Sequence, residues 1–460
     1  MIRLDPGVSA DRLRPRIEQL FELSAAKIRL IERDWSPGKG SPVFTVKGRY
    51  TSQGWTEWTQ GFMYGSALLQ FDAAGDPWFL DYGRHYTVER MATHLTHFGV
   101  HDHGFNNVST YGNLLRLSKQ KKFSLQPFEA EFYKLALKVS GAVQAARWSR
   151  IRDGRGYIYS FNGPHSLFAD TIRSLRALAV AHCLGHVLIE ENDRRVSLLE
   201  RLVHHAAVTA EFNVYYGEGR DVYDVRGRVA HESIFNVKDG SYRCPSTQQG
   251  YSPFTTWTRG LAWIICGYAE QLEFLETISR DQFELFGGYD AIIVLMLRAA
   301  LAAADYYIEQ AAADGIPYWD TGAPNLAHLG EWTNKPSDPF NSMEPVDSSA
   351  AAIAAQGLWR LAKYLNRPGL EPERAARYRD AALTIAGTLF SEPYLSTDSS
   401  HQGLILHAVY HRPRGWDYVP SRQSIPSGES AMWGDYHARE LALLLLREIR
   451  QDLYYTFFNV

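Results

Sequence analysis

The sequence predicts an all-α fold, an (α/α)6 barrel in which six helical hairpins close into a ring. Three observations favour it. Apolar residues recur with helical spacing throughout the 460 residues, the helical segments follow one another in neighbouring pairs, and no low-complexity linker separates them. The alternative, a helical-repeat solenoid, would show a fixed period with recurring residues, and the sequence shows none. We therefore expect one barrel domain spanning residues 1–460.

The apolar periodicity predicts about twelve helices. The first begins at Ser9, whose hydroxyl is a favourable N-cap. The predicted segments are 9–32, 55–71, 77–97, 107–119, 127–148, 166–189, 192–212, 257–276, 287–313, 347–365, 371–390 and 429–450. Residues 213–246 break the pattern, because alternating Tyr and Val residues with interspersed Gly are typical of a short β-ribbon or a long loop. Two further long loops are expected at 314–346 and 391–428.

Composition argues against several classes of partner. The net charge is −3 and no Lys/Arg cluster stands out, which argues against nucleic acid or an anionic membrane as the main partner. No stretch has the apolar length of a membrane span, and the first residues lack the apolar core of a signal peptide. We therefore expect a cytoplasmic protein, either monomeric or homo-oligomeric. Aromatic residues make up 13% of the chain, which suits a carbohydrate cleft.

The three cysteines, Cys183, Cys244 and Cys266, have neither the spacing of a metal site nor that of a disulfide framework. Cys183 and Cys266 lie in apolar helical runs, and we expect both to be buried as small hydrophobic side chains. The sequence leads us to expect no metal and no other cofactor.

The segment from Thr255 to Trp263 is a candidate binding element. Thr255 and Thr256 precede an apolar run and are predicted to cap a helix. Helical spacing would place Thr255, Arg259 and Trp263 on one face. An Arg there can bind a carboxylate through two parallel hydrogen bonds, and a Trp can stack on a sugar ring. The alternative is an amphipathic core helix with a salt-bridged Arg.

Several carboxylates lie at the starts of predicted helices. In His101-Asp102-His103 a metal site is one interpretation, although adjacent residues seldom share one ion. In the other interpretation, Asp102 is a carboxylate at the N-terminal end of a helix, and the neighbouring His and the helix dipole set its pKa. Asp347 is predicted to be the N-cap of an Ala-rich helix, and Asp435 to cap a helix or hold a loop.

Asp170 is the candidate general acid. It lies near the start of a predicted helix among Leu167, Phe168 and Ile172, and these apolar neighbours could raise its pKa and keep it protonated. The alternative is structural, because an Asp in the first turn of a helix interacts favourably with the helix dipole.

Several short motifs occur in a fixed order along the chain. They are Thr59-Gln60-Gly61-Phe62, His101-Asp102-His103-Gly104-Phe105, Gln249-Gly250, Thr256-Trp257-Thr258-Arg259-Gly260 with Ala262-Trp263, Tyr318-Trp319-Asp320, Asp347-Ser348-Ser349-Ala350 and Trp433-Gly434-Asp435-Tyr436. Together they resemble the unsaturated glucuronyl hydrolases of glycoside hydrolase family 88, with the unsaturated rhamnogalacturonyl hydrolases of family 105 as relatives. The matching runs span residues 58–440, most of the chain.

The resemblance implies an unusual glycosidase whose substrate is an oligosaccharide with a uronic acid end. Such enzymes act on the 4,5-unsaturated uronic acid that polysaccharide lyases leave at the non-reducing end. An Asp donates a proton to C4 and activates a water that adds at C5, and the hemiketal rearranges and releases the next sugar. By position, Asp170 matches the family's acid/base and Asp102 its partner carboxylate. Arg259 and Trp263 match residues lining the site, with Arg259 serving the uronate carboxylate or a substituent of the next sugar.

The resemblance also implies further substrate contacts. These are expected at His101, Gln249, Trp257, Met63, Asn213, Tyr410 and Trp433. Met63 stands where family members commonly carry Trp, and Asn213 falls near the position of another site His. Two alternatives stay open: a glycosidase of the same fold acting on a saturated uronide or neutral sugar, and a non-catalytic sugar-binding barrel. The presence of both Asp170 and Arg259 argues against the second, since a binding module needs no general acid.

Overall fold

The structure is a computed structural model that describes residues 1–54 and 57–459, and it confirms the (α/α)6 barrel. The α-helices are α1 (Ala10–Asp34), α2 (Gln60–Ala74), α3 (Pro77–Arg90), α4 (Ala92–Leu95), α5 (His103–Asn107), α6 (Asn113–Lys119), α7 (Pro127–Ala146), α8 (Thr171–Ser174), α9 (Arg176–Cys183), α10 (Leu198–Phe212), α11 (Thr258–Leu275), α12 (Tyr289–Gln310), α13 (Ser348–Leu365), α14 (Pro372–Leu389) and α15 (Met432–Arg450). A π-helical turn, Val108–Gly112, joins α5 to α6.

Within the described residues, six helical segments form the inner wall of the barrel and six form its outer layer. The inner wall consists of α2, α5 with α6, α8 with α9, α11, α13 and α15, and α15 packs against α2 to close the ring. Almost every residue of α11 and α13 is buried, as expected for helices covered on all sides. The outer helix α1 instead buries one apolar stripe that includes Leu13, Ile17 and Leu20.

The strands are short and lie between the helices. They are β1 (Phe44–Val46), β2 (Arg49–Thr51), β3 (Trp148–Arg150), β4 (Gly156–Ile158), β5 (Ser166–Phe168), β6 (Val187–Glu190), β7 (Arg194–Ser197), β8 (Glu232–Phe235) and β9 (Tyr242–Ser246). Hairpins join β1 to β2, β3 to β4 and β6 to β7, and β5, β8 and β9 form an antiparallel sheet in which Phe168 pairs with Glu232. Strands β8 and β9 confirm the ribbon expected within 213–246.

The predicted helix 166–189 is wrong at both ends. Its first residues form β5 and its last form β6, so helical structure is limited to α8 and α9. The next helix begins at Leu198 rather than at residue 192, because β7 belongs to the same hairpin as β6. The apolar spacing of these residues fits a helix, but β5 takes its backbone hydrogen bonds from the distant β8, and β6 from the adjacent β7.

Local capping signals located two helices correctly. The Ser9 hydroxyl accepts the Arg12 N–H at 3.4 Å and caps α1. Asp347 caps α13 by accepting the Ser349 N–H at 3.0 Å. The predicted helix 55–71 is observed as α2, and the first two of its residues lie outside the described part of the chain.

Of the other local predictions, two are wrong and two are confirmed. The N-cap of α11 is Trp257, so Thr255 lies outside the helix and does not share a face with Arg259. Cys183 is partly exposed, whereas Cys266 is buried as expected. Asp435 does hold a loop, because its carboxylate accepts the backbone N–H of Leu404 at 2.8 Å.

One helix also differs from the expectation that no stretch could span a membrane. By length and composition, α12 is apolar enough to cross one. About two thirds of its most apolar stretch is buried against the rest of the protein.

Candidate active site

The N-terminal ends of the inner helices converge on a cavity of about 620 Å³. Its walls come from the segments preceding α2, α5, α8 and α11 and from the long loop preceding α15. The lining residues are Glu57, Trp58, His97, Gly99, Val100, His101, Asp102, Phe105, Phe161, Asn162, Phe168, Asp170, Gln248, Gln249, Trp257, Arg259, Trp263, Tyr410, His411, Arg414 and Trp416. Such a mixture of aromatic walls and a few polar groups is typical of a small-molecule site.

His101, Asp102 and Asp170 form an acid–base cluster in this cavity. His101 Nε2 lies 3.1 Å from Oδ1 of Asp170 and 3.5 Å from Oδ1 of Asp102. All three side chains are buried, and His101 and Asp170 are 69 positions apart in the sequence. One imidazole nitrogen is therefore close enough to exchange a proton with either carboxyl group.

The charges of the cluster differ from those expected from the sequence. Burial raises the pKa of Asp102 to about 6, although His101 opposes the change. Burial also acts to raise the pKa of Asp170, but the hydrogen bond and the charge of His101 outweigh it, and the pKa of Asp170 is lowered. The expectation that apolar neighbours keep Asp170 protonated is therefore wrong. Asp102 is the carboxyl group that retains a proton up to about pH 6, whereas Asp170 is ionised.

A buried serine joins the two segments that carry the cluster. The Ser174 hydroxyl donates to the His101 carbonyl at 2.8 Å and accepts the Gly104 N–H at 2.9 Å. Gln144 donates its side-chain N–H groups to the same carbonyl at 2.8 Å and to the Ser174 hydroxyl at 3.0 Å. A Cβ atom on Gly104 would lie 2.2 Å from the Ser174 carbonyl oxygen, so only glycine allows this approach. Helices α5 and α8 are thus fixed to each other beside the cluster.

Arg259 lines the cavity from the first turn of α11, yet it is only 2% exposed. Its terminal nitrogens donate to Asp347, to the side chain of Gln249, and to the backbone carbonyls of Val409 and Tyr410. Arg259 is therefore salt-bridged to Asp347, as the alternative interpretation of this helix expected.

Aromatic rings provide much of the cavity wall. Trp263 lies one turn further along α11 and packs against Phe105, with 4.8 Å between ring centroids. Phe161, in the turn between β4 and β5, is 46% exposed and lies nearly parallel to the His101 ring at 6.3 Å. Trp58 and Tyr410 line the cavity together, 6.4 Å apart. These apolar faces beside polar groups suit the binding of a sugar ring.

Three residues expected to contact substrate do not line the cavity. Met63 is buried beside Ile28 in the body of the barrel. Asn213 ends α10, and its amide donates to the Ala230 carbonyl at 3.0 Å, which ties the helix to the ribbon. Trp433 is fully buried and stacks on Trp58 at 5.1 Å, so it supports the wall from behind.

His231 is a residue that sequence reasoning missed. Its Nδ1 accepts the Gln248 N–H at 3.0 Å, which places the ring proton on Nε2. That Nε2 is buried without a hydrogen-bond partner among the residues described. The ring packs against Trp257 at 4.6 Å, and burial lowers its pKa to about 4, so the imidazole is neutral. No residue spacing points to it, because its position depends on the pairing of β8.

The metal interpretation of His101-Asp102-His103 finds little geometric support. His103 Nδ1 pairs with the Ser140 hydroxyl at 3.0 Å, and its Nε2 with the His97 carbonyl at 3.2 Å. The two histidines of the motif therefore face different partners. Over residues 1–54 and 57–459, no group of three or more His, Cys, Asp or Glu has a metal-site arrangement.

Comparison with known sequences finds several relatives. No family model matches the chain. The unsaturated glucuronyl hydrolase of Bacillus sp. (strain GL1) is 28% identical over 401 residues, which cover 86% of this chain and 87% of that protein. The unsaturated glucuronyl hydrolase of Formosa agariphila is 24% identical over 387 residues, which cover 84% of this chain and 78% of that protein.

Solved structures share the fold. A structure of the hydrolase UGL with dGlcA-Glc-Rha-Glc superposes with a TM-score of 0.70 at 23% identity, covering 95% of this chain and 97% of that one. The names of the sequence relatives agree with the family that the motifs resemble, and the structural match agrees with the barrel. In its sequence the chain is similar to the unsaturated glucuronyl hydrolases over most of its length, and it shares the fold of their solved structures.

Proposed function

We propose that this enzyme removes a 4,5-unsaturated uronic acid from the non-reducing end of lyase-generated oligosaccharides. The observation that carries the proposal is the position of His101, whose Nε2 contacts the carboxyl groups of both Asp102 and Asp170. The names of the sequence relatives, and a UGL structure whose ligand begins with dGlcA, support this class of substrate.

The reaction follows from the chemistry of an enol ether. In such a sugar the ring oxygen is attached to C5 of the C4=C5 double bond. A proton added at C4 leaves an oxocarbenium ion shared by C5 and the ring oxygen. Water then adds at C5 and loses a proton to a base, which gives a hemiketal. Opening of the hemiketal and collapse at C1 release the next sugar, with one water consumed overall.

We assign both proton transfers to Asp170. Because Asp170 is ionised in the resting cluster, it must first gain a proton, and His101 Nε2 holds one 3.1 Å away. Asp102, whose pKa is about 6, can then replace the proton on that nitrogen. Once C4 is protonated, Asp170 is again a carboxylate and can take the proton of the attacking water.

The dimensions of the cavity fit a chain end rather than a polymer. A volume of about 620 Å³ lies within the range of pockets that enclose one small ligand. Trp263 and Phe105 offer apolar faces to the sugar ring, and Gln249 offers a polar group nearby.

A saturated uronide is the second candidate substrate. A neutral Asp102 beside an ionised Asp170 is also the ionisation pattern of an ordinary glycosidase, with one acid and one base. That reaction would leave the C4–C5 bond of the substrate untouched.

Ultraviolet absorbance distinguishes the two candidates. The purified protein is mixed with unsaturated disaccharides generated by lyases from glucuronan, chondroitin and pectin, and in parallel with saturated aryl uronides. Hydration destroys the conjugated C4=C5 bond, so we expect the absorbance of at least one unsaturated disaccharide to decay. Turnover of the saturated uronides with no decay on the unsaturated panel would favour the second candidate.

A further inference from the structure

The guanidinium of Arg259 faces the cavity, but both of its terminal nitrogens are already engaged by the protein. Resting on the function proposed above, we propose that Arg259 is a positioning residue. In this role it fixes the side-chain amide of Gln249 and the backbone at Val409 and Tyr410. The substrate then meets the N–H groups of Gln249 rather than the guanidinium.

Hydrogen bonding accounts for both terminal nitrogens of Arg259. Nη1 donates to Asp347 Oδ2 at 2.9 Å and to the Val409 carbonyl. Nη2 donates to Gln249 Oε1 at 2.8 Å and to the Tyr410 carbonyl at 2.8 Å. Each terminal nitrogen carries two hydrogens, so four acceptors use all four of them. A substrate carboxylate could bind to Nη1 and Nη2 only by displacing these protein acceptors.

The surroundings also hold the guanidinium in place. It lies over the ring of Trp257 at 4.6 Å and over that of Trp433 at 4.9 Å. Its ion-pair partner, Asp347, is fully buried and caps α13 through the Ser349 N–H. Moving the guanidinium toward a substrate would leave this buried carboxylate without its cation, which is strongly unfavourable.

The contact with Arg259 settles which way the Gln249 amide points. Arginine has only donors, so the atom facing Nη2 must be the amide oxygen of Gln249. The amide nitrogen, Nε2, is therefore turned away from Arg259, and Gln249 lines the cavity. In the described part of the chain, that nitrogen has no protein acceptor, so its two N–H groups are available to a sugar hydroxyl or carboxylate.

Lysine at position 259 separates the charge of Arg259 from its geometry. The positive charge of Arg259 contributes to lowering the pKa of Asp170. A lysine retains that charge but is a point donor that cannot span four acceptors. Arg259→Lys should therefore release Gln249 while leaving the ionisation of the acid–base cluster and its pH profile nearly unchanged.

A double-mutant cycle tests the proposal. The values of kcat/KM are measured for wild type, Arg259→Lys, Gln249→Ala and the double variant on an unsaturated disaccharide and on its methyl ester. We expect each single variant to lose about 100-fold and the double variant no more than about 3-fold beyond that, because both changes remove one positioned amide. The preference for the free acid over the ester should fall in the Gln249→Ala variant and fall to the same degree in Arg259→Lys.

The opposite pattern would overturn the proposal. If the penalties of the two single variants multiply, or if only Arg259→Lys erases the preference for the free acid, the guanidinium itself binds the substrate. Arg360→Lys is the matched control, since Arg360 is also buried and ion-paired on an inner helix, with Glu273 at 2.7 Å, but lies outside the cavity. It should lower thermal stability without changing the acid-to-ester ratio.

Failure of the proposed function would be recognised separately. In that case wild-type protein leaves the absorbance of every unsaturated disaccharide unchanged. Crystal structures of wild type and Arg259→Lys would then decide the positioning role. An amide of Gln249 that turns or becomes disordered in the variant supports the role, and an unchanged amide contradicts it.

Discussion

His101 Nε2 lies 3.1 Å from Asp170 Oδ1, and this contact reverses the ionisation expected for that aspartate. Without the imidazole, burial alone would raise the pKa of Asp170 and keep it protonated. With it, Asp170 is the ionised member of the cluster and Asp102 the protonated one.

Asp170→Asn should abolish turnover, by at least about 1,000-fold in kcat, while leaving the fold and substrate binding largely intact. An amide can neither deliver a proton to C4 nor take one from water. The measurement is single-turnover kinetics together with circular dichroism and a binding titration with the unsaturated disaccharide. Retained turnover by a correctly folded variant would remove Asp170 from the catalytic role.

Activity should decline as the pH rises through about 6. The proposed proton supply begins at Asp102, whose pKa is raised by burial to about 6, so the productive state loses its proton above that pH. We expect kcat/KM to be nearly constant below this value and to fall about tenfold per pH unit well above it. A pH–rate profile measured at constant ionic strength checks this. An activity that increases between about pH 6 and 8 would contradict the role of Asp102.

The same pKa shift predicts a change in stability. The pKa of Asp102 is higher in the folded state than in the unfolded chain, so its contribution is complete below the unfolded pKa and is lost as pH rises through about 6. Asp102→Asn removes this dependence. Between about pH 5 and 7.5 the unfolding free energy of the variant should fall less than that of wild type, by about 1.4 kcal/mol. Urea unfolding at both pH values tests this, and parallel losses in the two proteins would refute it.

Ser174→Ala should make the positions of the acid–base cluster less fixed, although Ser174 itself does not contact the substrate. The change leaves the buried Gly104 N–H without its acceptor and removes one donor to the His101 carbonyl, at a cost of about 1–3 kcal/mol. We also expect kcat to fall about tenfold. Ser24→Ala is the control, because Ser24 is equally buried and accepts from Arg439 Nε at 2.8 Å, outside the cavity. If both variants lose the same activity, the effect of Ser174 is only structural.

Local chemistry explains what the sequence could reveal. The hydroxyl of Ser9 and the carboxylate of Asp347 cap helices through neighbouring N–H groups, so a few adjacent residues suffice to predict them. The order of the motifs indicated the family resemblance, and that resemblance implied His101, Asp102 and Asp170 as site residues, which the fold brings together.

Long-range contacts explain what the sequence could not reveal. The ionisation of Asp170 depends on a histidine 69 positions away. The engagement of Arg259 depends on Asp347 and on carbonyls of the loop before α15. Strand β5 forms because β8 supplies its partner, and the same pairing brings His231 beside Trp257. None of these contacts leaves a spacing signal near the residue concerned.

The position of the new hydrogen in the product tests the central claim most directly. The reaction is run in D₂O with an unsaturated disaccharide that the enzyme accepts, and the released sugars are examined by NMR. Hydration of the enol ether predicts loss of the C4=C5 bond and one deuterium at C4 of the uronic acid product. Release of the next sugar with the double bond intact and no deuterium at C4 would contradict the account.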